Sequence, residues 1–90
     1  MENRNNRPAG ASPPTPPGLL VRQRLHELKM TEQELADGSG ERLETINRII
    51  CVRGRLTPAK AVPIAAALGL PPKLLLDAQL ALDLWRLGSG

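Results

Sequence analysis

Aromatic residues are almost absent from this sequence: its 90 residues include one Trp and no Phe or Tyr. Proteins that bind single-stranded nucleic acid stack successive bases on aromatic side chains, and sheet-based RNA-binding modules use the same kind of platform. A single ring, that of Trp85, cannot build one. The sequence therefore argues against recognition of single-stranded nucleic acid by stacking.

Cysteine and histidine are equally scarce, with Cys51 and His26 as the only examples. One cysteine excludes an intrachain disulfide, which is typical of cytosolic proteins, and we expect Cys51 to fill space in the structure. His26 has no second histidine or cysteine with which to share a metal ion. Because the sequence also offers no recognisable catalytic arrangement of carboxylates, nucleophile or phosphate-binding loop, it predicts no metal, no cofactor and no enzyme activity.

Long hydrophobic runs are missing as well. No stretch approaches the ~20 apolar residues that a membrane-spanning helix needs. The proline-rich start has no continuous apolar segment like that of a signal peptide. We therefore predict a cytoplasmic location and no membrane partner.

Positive charge, by contrast, is concentrated in one part of the chain. The formal net charge of +3 and the sequence pI of about 9.8 are modest. Between residues 42 and 60, however, Glu44 is the only acid and the basic residues are Arg42, Arg48, Arg53, Arg55 and Lys60. Such a local patch is compatible with a polyanionic partner.

Composition divides the chain into three parts. Residues 1–17 are rich in proline and have almost nothing apolar to bury, so we predict a disordered arm. Residues 18–87 carry helical patterns and form one small domain, which at this size buries only about 60 % of its unfolded surface. Residues 88–90 read as a flexible end. The first helix of the domain is predicted over residues 18–30.

Residues 31–50 predict two short helices joined by a turn, a helix-turn-helix. Thr31 and Glu34 have the spacing of a capping box, which starts a helix. Gly40 allows the left-handed conformation that ends it. In the second helix one apolar stripe is expected, made of Leu43, Ile46, Ile49 and Ile50. The opposite, polar side is the candidate reading surface.

Two further helices are predicted after a loop. Arg53 and Arg55 flank Gly54 in this loop and are interpreted as phosphate contacts, with plain solvated charge as the alternative. Thr57 and Pro58 then begin a helix over residues 59–68, which Gly69 ends. Pro63 is expected to cause a kink or a shorter helix. The core side of that helix is predicted as Val62, Ile64, Ala65 and Leu68.

The last helix, predicted over residues 72–87, is apolar on more than one side. One face is formed by Leu74, Ala78, Ala81 and Trp85, and a second by Leu76, Leu80, Leu84 and Leu87. A domain this small can cover one of them, and soluble monomers rarely expose a contiguous apolar patch. We therefore predict a homodimer through the second face, the alternative being a helix sunk into its own bundle.

In this order the elements resemble HigA-type antitoxins, a branch of the XRE or lambda-repressor-like helix-turn-helix proteins. The resemblance covers residues 17–86 and rests on PG at 17–18, TEQELA at 31–36 with Gly40, TINRI at 45–49, LTP at 56–58, AAALG at 65–69 and LDLWR at 82–86. It implies an all-α, five-helix, dimeric domain. It also implies a HigB-like toxin partner, a ribosome-dependent messenger-RNA nuclease that the antitoxin neutralises, and repression of the antitoxin's own operon.

The resemblance also assigns roles to residues. Its base-reading positions fall on Leu43, Glu44 and Arg48, with Arg42 at the start of the helix and Asn47 nearby. Apart from the resemblance, we predict phosphate contacts at Thr31, Arg53 and Arg55. Arg48 is the strongest candidate because a guanidinium reads guanine bidentately in the major groove. Three acids, Glu32, Glu41 and Glu44, lie where DNA is expected and oppose tight binding.

The sequence thus favours an antitoxin that binds a toxin and a double-stranded operator. Two copies would place their reading helices in successive major grooves, about 34–36 Å apart. Two alternatives remain open. One is a stand-alone transcriptional repressor of this fold, and the other is a protein-interaction module of this fold with little DNA binding.

Overall fold

The computed structural model describes residues 13–89, which form an all-α domain with no strand among them. Its five helices are α1 (Pro17–Leu28), α2 (Glu32–Ser39), α3 (Leu43–Ile50), α4 (Pro58–Leu68) and α5 (Pro72–Ser89). The predicted five-helix fold is therefore confirmed. Most of the predicted arm, residues 1–12, lies outside the described residues, and residues 13–16 precede α1 without regular structure.

Local capping chemistry sets several helix ends as the sequence predicts. At the start of α2 the Glu34 amide donates to Thr31 Oγ1 at 3.0 Å, and the Thr31 amide donates to Glu34 Oε1 at 2.8 Å. Both halves of the capping box are present. Gly40 and Gly69 end α2 and α4 in the left-handed conformation, with φ of 76° and 69°. A side chain at either position would be strained.

Two predicted helix details are corrected. α1 ends at Leu28 rather than at residue 30, because Lys29 turns left-handed and the Met30 amide donates to Leu25 O at 2.9 Å. α4 is not shortened by Pro63, since it runs from Pro58 to Leu68. Thr57 stands at its N-cap but its side chain makes no capping hydrogen bond. Tertiary packing holds α4, because it lies against α1, α2 and α5.

One cluster of buried side chains forms the core. Its members are Val21, Leu25, Leu35, Ala36, Ile46, Ile49, Leu56, Ala61, Ile64, Ala65, Leu68 and Leu75. α4 supplies more of them than any other helix, which offsets the backbone hydrogen bond that Pro63 cannot donate. Gly18 brings α1 close to α3, because a Cβ there would overlap the carbonyl oxygen of Ile49.

Some predicted apolar stripes face outward. Val62 on α4 is 52 % exposed, and Ala61 takes the core position instead. In α5 the core side is formed by Leu75, Gln79 and Leu82, none of which belongs to either predicted face. Cys51 is exposed, so the expectation that it fills space in the structure is wrong.

Candidate nucleic-acid interface

The two sides of α3 differ sharply in chemistry. Ile46 and Ile49 are buried in the core. The five residues predicted to read bases lie together on the exposed side and just before it, and they are Arg42, Leu43, Glu44, Asn47 and Arg48. A polar face on a helix whose other face is anchored in a core is the arrangement that a reading helix needs.

Carboxylates occupy part of this face. Arg42 Nη1 lies 3.3 Å from Glu44 Oε1, and Asn47 Nδ2 donates to Glu32 Oε1 of α2 at 3.4 Å. Both contacts are long and exposed, and such contacts stabilise a fold little. The side chain of Arg48 has no hydrogen bond or ion pair with any other residue of 13–89. Its guanidinium is therefore the donor group on α3 that is ready for a ligand.

The loop after α3 folds back tightly onto the end of that helix. The amides of Arg53 and Gly54 both donate to Arg48 O, at 2.7 and 3.0 Å, and the Val52 amide donates to Ile49 O at 3.0 Å. Val52 adopts a φ of 59°, which is unusual for a β-branched residue. These contacts hold Arg53 beside Arg48.

Basic side chains from three elements converge on one cleft next to the reading face. This cleft, called the phosphate cleft below after the prediction for Arg53 and Arg55, has a volume of about 350 Å³. It is lined by Thr45, Arg48, Arg53, Arg55, Thr57 and Lys60, among others. The structure therefore brings the predicted phosphate residues Arg53 and Arg55 together with Arg48. Lys60, which lies in the first turn of α4, adds a further positive charge to the same cleft.

Arg55 differs from Arg53 because it is engaged within the protein. Its Nη1 lies 2.7 Å from Asp83 Oδ1 on α5. Asp83 also accepts from Gln79 Nε2 at 2.9 Å, and Gln79 Oε1 accepts from the Leu56 amide at 3.0 Å. The hydrogen bond from Arg55, followed by that from Gln79, holds the pKa of Asp83 below its usual value. This network ties the loop to α5.

Gln79 and Asp83 are the residues of the site that sequence reasoning missed. Gln79 is the buried polar side chain of α5, 5 % exposed. A signal existed in the sequence, since Gln79 and Asp83 are polar residues four apart in an otherwise leucine-rich helix. A buried amide needs partners, and here they are the loop backbone and a carboxylate.

Thr31 lies at the exposed start of α2, where its hydroxyl oxygen already accepts the Glu34 amide. The first turn of α2 contains Glu32 and Glu34. Their charges oppose those of a nearby phosphate. Thr31 is thus less suited than Arg53 to the predicted phosphate contact.

The predicted dimer face of α5 is largely exposed. Leu80, Leu84 and Leu87 are 55 %, 59 % and 80 % exposed, whereas Leu76 is half-buried and packs against the core. Leu80, Leu84 and Leu87 are called the leucine stripe below. No helix among residues 13–89 has the length and hydrophobicity to cross a membrane.

Comparison with solved structures places this fold among known proteins. No protein-family model matches the sequence, and no curated protein does. A putative antidote protein of a plasmid maintenance system from Nostoc punctiforme superposes with a TM-score of 0.81 at 28 % identity, over 87 % of this chain and 86 % of that one. An addiction module antidote protein of the HigA family from Coxiella burnetii superposes with a TM-score of 0.76 at 25 % identity, over 83 % of each chain.

A hypothetical protein from Escherichia coli also matches, with a TM-score of 0.74 at 28 % identity over 81 % of this chain and 76 % of that one. The resemblance to HigA-type antitoxins that the sequence predicts is therefore confirmed at the level of the whole domain. The neighbours with a stated role are antidote proteins, which supports an antitoxin role for this chain.

Proposed function

We propose that this chain is the antitoxin of a HigBA-like type II toxin-antitoxin module. It binds and neutralises a toxin that cleaves messenger RNA, and it represses its own operon through the helix-turn-helix formed by α2 and α3. The observation that carries the proposal is the match over nearly the whole domain to the plasmid-maintenance antidote, with its TM-score of 0.81.

Operator binding is supported by the chemistry around α3. Arg48 is unpaired within residues 13–89, and the adjacent phosphate cleft gathers Arg53 and Lys60 around it. Arg48 reads a base edge in the major groove, while Arg53 holds the backbone and fixes the register. The leucine stripe of α5 pairs with its counterpart in a second copy, so that two α3 helices meet a palindrome.

Toxin neutralisation requires no catalytic group. An antitoxin acts by covering the toxin's RNA-binding surface, so its effect depends on protein–protein contact alone. The reading face of α3 is reserved for DNA in this arrangement. Loss of Arg48 is therefore expected to leave neutralisation intact.

Growth rescue tests the proposal. The chain is co-expressed with the HigB-like toxin encoded beside it, in parallel with Arg48→Ala and with a deletion of residues 1–16. We expect rescue by all three, together with loss of promoter repression by Arg48→Ala. Failure of the parent to rescue, combined with a clear shift of its own promoter fragment, would instead identify a stand-alone repressor.

A second candidate function is a protein-interaction module with little DNA binding. The contacts of Glu44 with Arg42 and of Glu32 with Asn47 favour it, because they place carboxylates on the reading face. This candidate predicts rescue from the toxin without any shift of the promoter fragment. Titration of the promoter fragment at low salt distinguishes it from the antitoxin that also represses.

A further inference from the structure

The unpaired basic residues of the domain are not scattered evenly. Among residues 13–89, ion pairs engage Arg24, Arg42, Arg55 and Lys73. No hydrogen bond or ion pair within that part of the chain engages the side chains of six basic residues, which are Arg22, Lys29, Arg48, Arg53, Lys60 and Arg86. Arg48, Arg53 and Lys60 line the phosphate cleft, whereas Arg86 on α5 does not.

Arg86 lines a second cleft, which shares the loop residues Arg53 and Arg55 with the first. This α5 cleft has a volume of about 220 Å³ and lies between the start of α1, the loop and α5. Its basic lining consists of Arg53, Arg55 and Arg86. Asp83, the nearby acid, already accepts hydrogen bonds from Arg55 and Gln79. The α5 cleft therefore keeps a positive balance of charge.

The two clefts share a wall. Arg53, Gly54 and Arg55 line both of them, so positive charge runs from Lys60 and Arg48 on one side, across the loop, to Arg86 on the other. A DNA strand presents a continuous row of phosphates. A row of basic side chains that continues past the reading helix complements such a strand better than it complements a single small anion.

The start of α1, which lines the α5 cleft, carries no acidic side chain. α1 begins at Pro17 with Pro16 at its N-cap, which provides no side-chain hydrogen bond, and its first turn contains no acid. The positive end of the helix is thus not neutralised locally. Gly18 lines the cleft at this point, and a Cβ there would overlap Ile49 O.

We propose that the α5 cleft binds a phosphate of the DNA backbone, beside the half-site that α3 reads, and that Arg86 is its main ligand. The inference rests on the proposed operator binding and extends the DNA contact from the helix-turn-helix to the last helix. A phosphate held by Arg53 and Arg86 fixes the angle at which α3 enters the groove. It carries no sequence information of its own.

The test compares Arg86→Gln, Arg86→Lys and, as a matched control, Arg22→Gln. Arg22 is an exposed arginine of α1 that lines neither cleft. Binding to an operator duplex and to a scrambled duplex is measured over a series of salt concentrations, after thermal unfolding has confirmed that each variant is folded. Titration with inorganic phosphate, followed by amide NMR signals around Gly18 and Arg53, reports on a free anion separately.

We expect Arg86→Gln to weaken binding to both duplexes equally, by about tenfold, and to lower the salt slope by about one. Arg86→Lys keeps the charge and therefore keeps most of the slope, while Arg22→Gln matches the parent. A purely structural role for Arg86 beside Asp83 would leave the slope unchanged.

The outcomes separate this inference from the proposed function. If the parent binds its operator and Arg86→Gln binds with the same slope, the α5 cleft is not a phosphate site and operator binding stands. If the parent binds neither duplex, operator binding and this inference both fail. Shifts with inorganic phosphate in that case would indicate a site for small anions, which also overturns the assignment to DNA.

Discussion

The outer faces of α3 and α5 show opposite chemistry on helices anchored in the same core. α3 is short and presents charged and amide side chains around Arg48. α5 is more than twice as long and presents the leucine stripe. A polar face with an unpaired guanidinium suits a polyanion, whereas an exposed row of leucines suits another protein surface. The proposed base-reading surface and the proposed dimer surface therefore lie on different helices.

The two surfaces are nevertheless joined by one set of hydrogen bonds. Asp83 and Gln79 lie on α5, and they hold Arg55 and the Leu56 amide of the loop that follows α3. We therefore expect a change in the packing of α5 to shift the loop that lines the phosphate cleft. This coupling makes the separation of the two surfaces testable by substitution on either side.

The largest effect is expected at the core side of α5. Leu75→Ala removes a side chain that is fully buried and leaves a cavity, which costs about 2–5 kcal/mol of unfolding free energy. Chemical denaturation measures the change. Leu80→Ala on the leucine stripe is the control. Because Leu80 is about half exposed, its truncation should lower the unfolding free energy much less, provided that the protein is dilute enough to be monomeric. Equal losses at the two positions would mean that both sides of α5 are buried within one chain.

Leu84→Glu tests the leucine stripe by placing a charge in the middle of it. If this stripe pairs two copies, a carboxylate at its centre converts a dimer into a monomer and weakens operator binding, because each complex then holds one half-site. Sedimentation equilibrium measures the mass directly. Val62→Glu places the same charge at an exposed apolar position of α4 and is expected to change neither property. A parent that is already monomeric at micromolar concentration contradicts the prediction.

Two arginines that line the phosphate cleft, Arg48 and Arg53, are predicted to have different roles in DNA binding. Arg48→Ala is expected to cost about 1–3 kcal/mol of discrimination at one base pair. Arg53→Ala should weaken binding to every sequence alike and lower the salt slope by about one. Titration of single-base operator variants with each protein separates the two roles. Identical profiles for the two variants would show that α3 does not face the bases.

The helices could be predicted from the sequence because the residues that start and end them act locally. The capping box of Thr31 and Glu34 and the left-handed glycines at 40 and 69 act within a few residues, so each can be read without knowing the rest of the fold. Helical spacing also predicts the buried positions Ile46 and Ile49 of α3, but it is wrong for Leu43, which it places on the apolar stripe and which is 44 % exposed. The structure brings the predicted base-reading residues together on the polar face of α3.

The side of α5 that meets the core could not be found in the same way. Leucines surround this helix, so no periodicity distinguishes Leu75 and Leu82 from Leu80 and Leu84. The contact of Arg55 with Asp83 spans 28 positions of sequence and depends on how the loop packs against α5. Tertiary packing decides both the core side of α5 and the Arg55–Asp83 contact, and helix propensity contains no information about such packing.

The smallest effect on DNA binding is expected at Arg55, which lines the phosphate cleft and also contacts α5. Because Arg55 is held by Asp83 whereas Arg53 has no such partner within residues 13–89, Arg55→Ala should lower the salt slope of DNA binding less than Arg53→Ala does. Lys73→Ala is the matched control, since it breaks the Lys73–Asp77 ion pair, which lies within α5 and has no contact with the loop. Equal slopes for the Arg55 and Arg53 variants would show that Arg55 also holds a phosphate.

The contact between Arg55 and Asp83 should also affect how the stability of the fold depends on pH. The lowered pKa of Asp83 means that its carboxylate stabilises the fold above the ordinary value of 3.8, and that this stabilisation is lost as the pH falls through the lower value of the folded state. Arg55→Ala removes the largest cause of the shift, so its unfolding free energy should depend less on pH in that range than the parent's does. Unfolding between pH 5 and pH 2 measures the difference, which is small because Arg55 is well exposed. An unchanged pH profile would mean that Gln79 and the charge of Arg86 keep Asp83 ionised without Arg55. The loop would then be tied to α5 through the buried amide rather than through the ion pair.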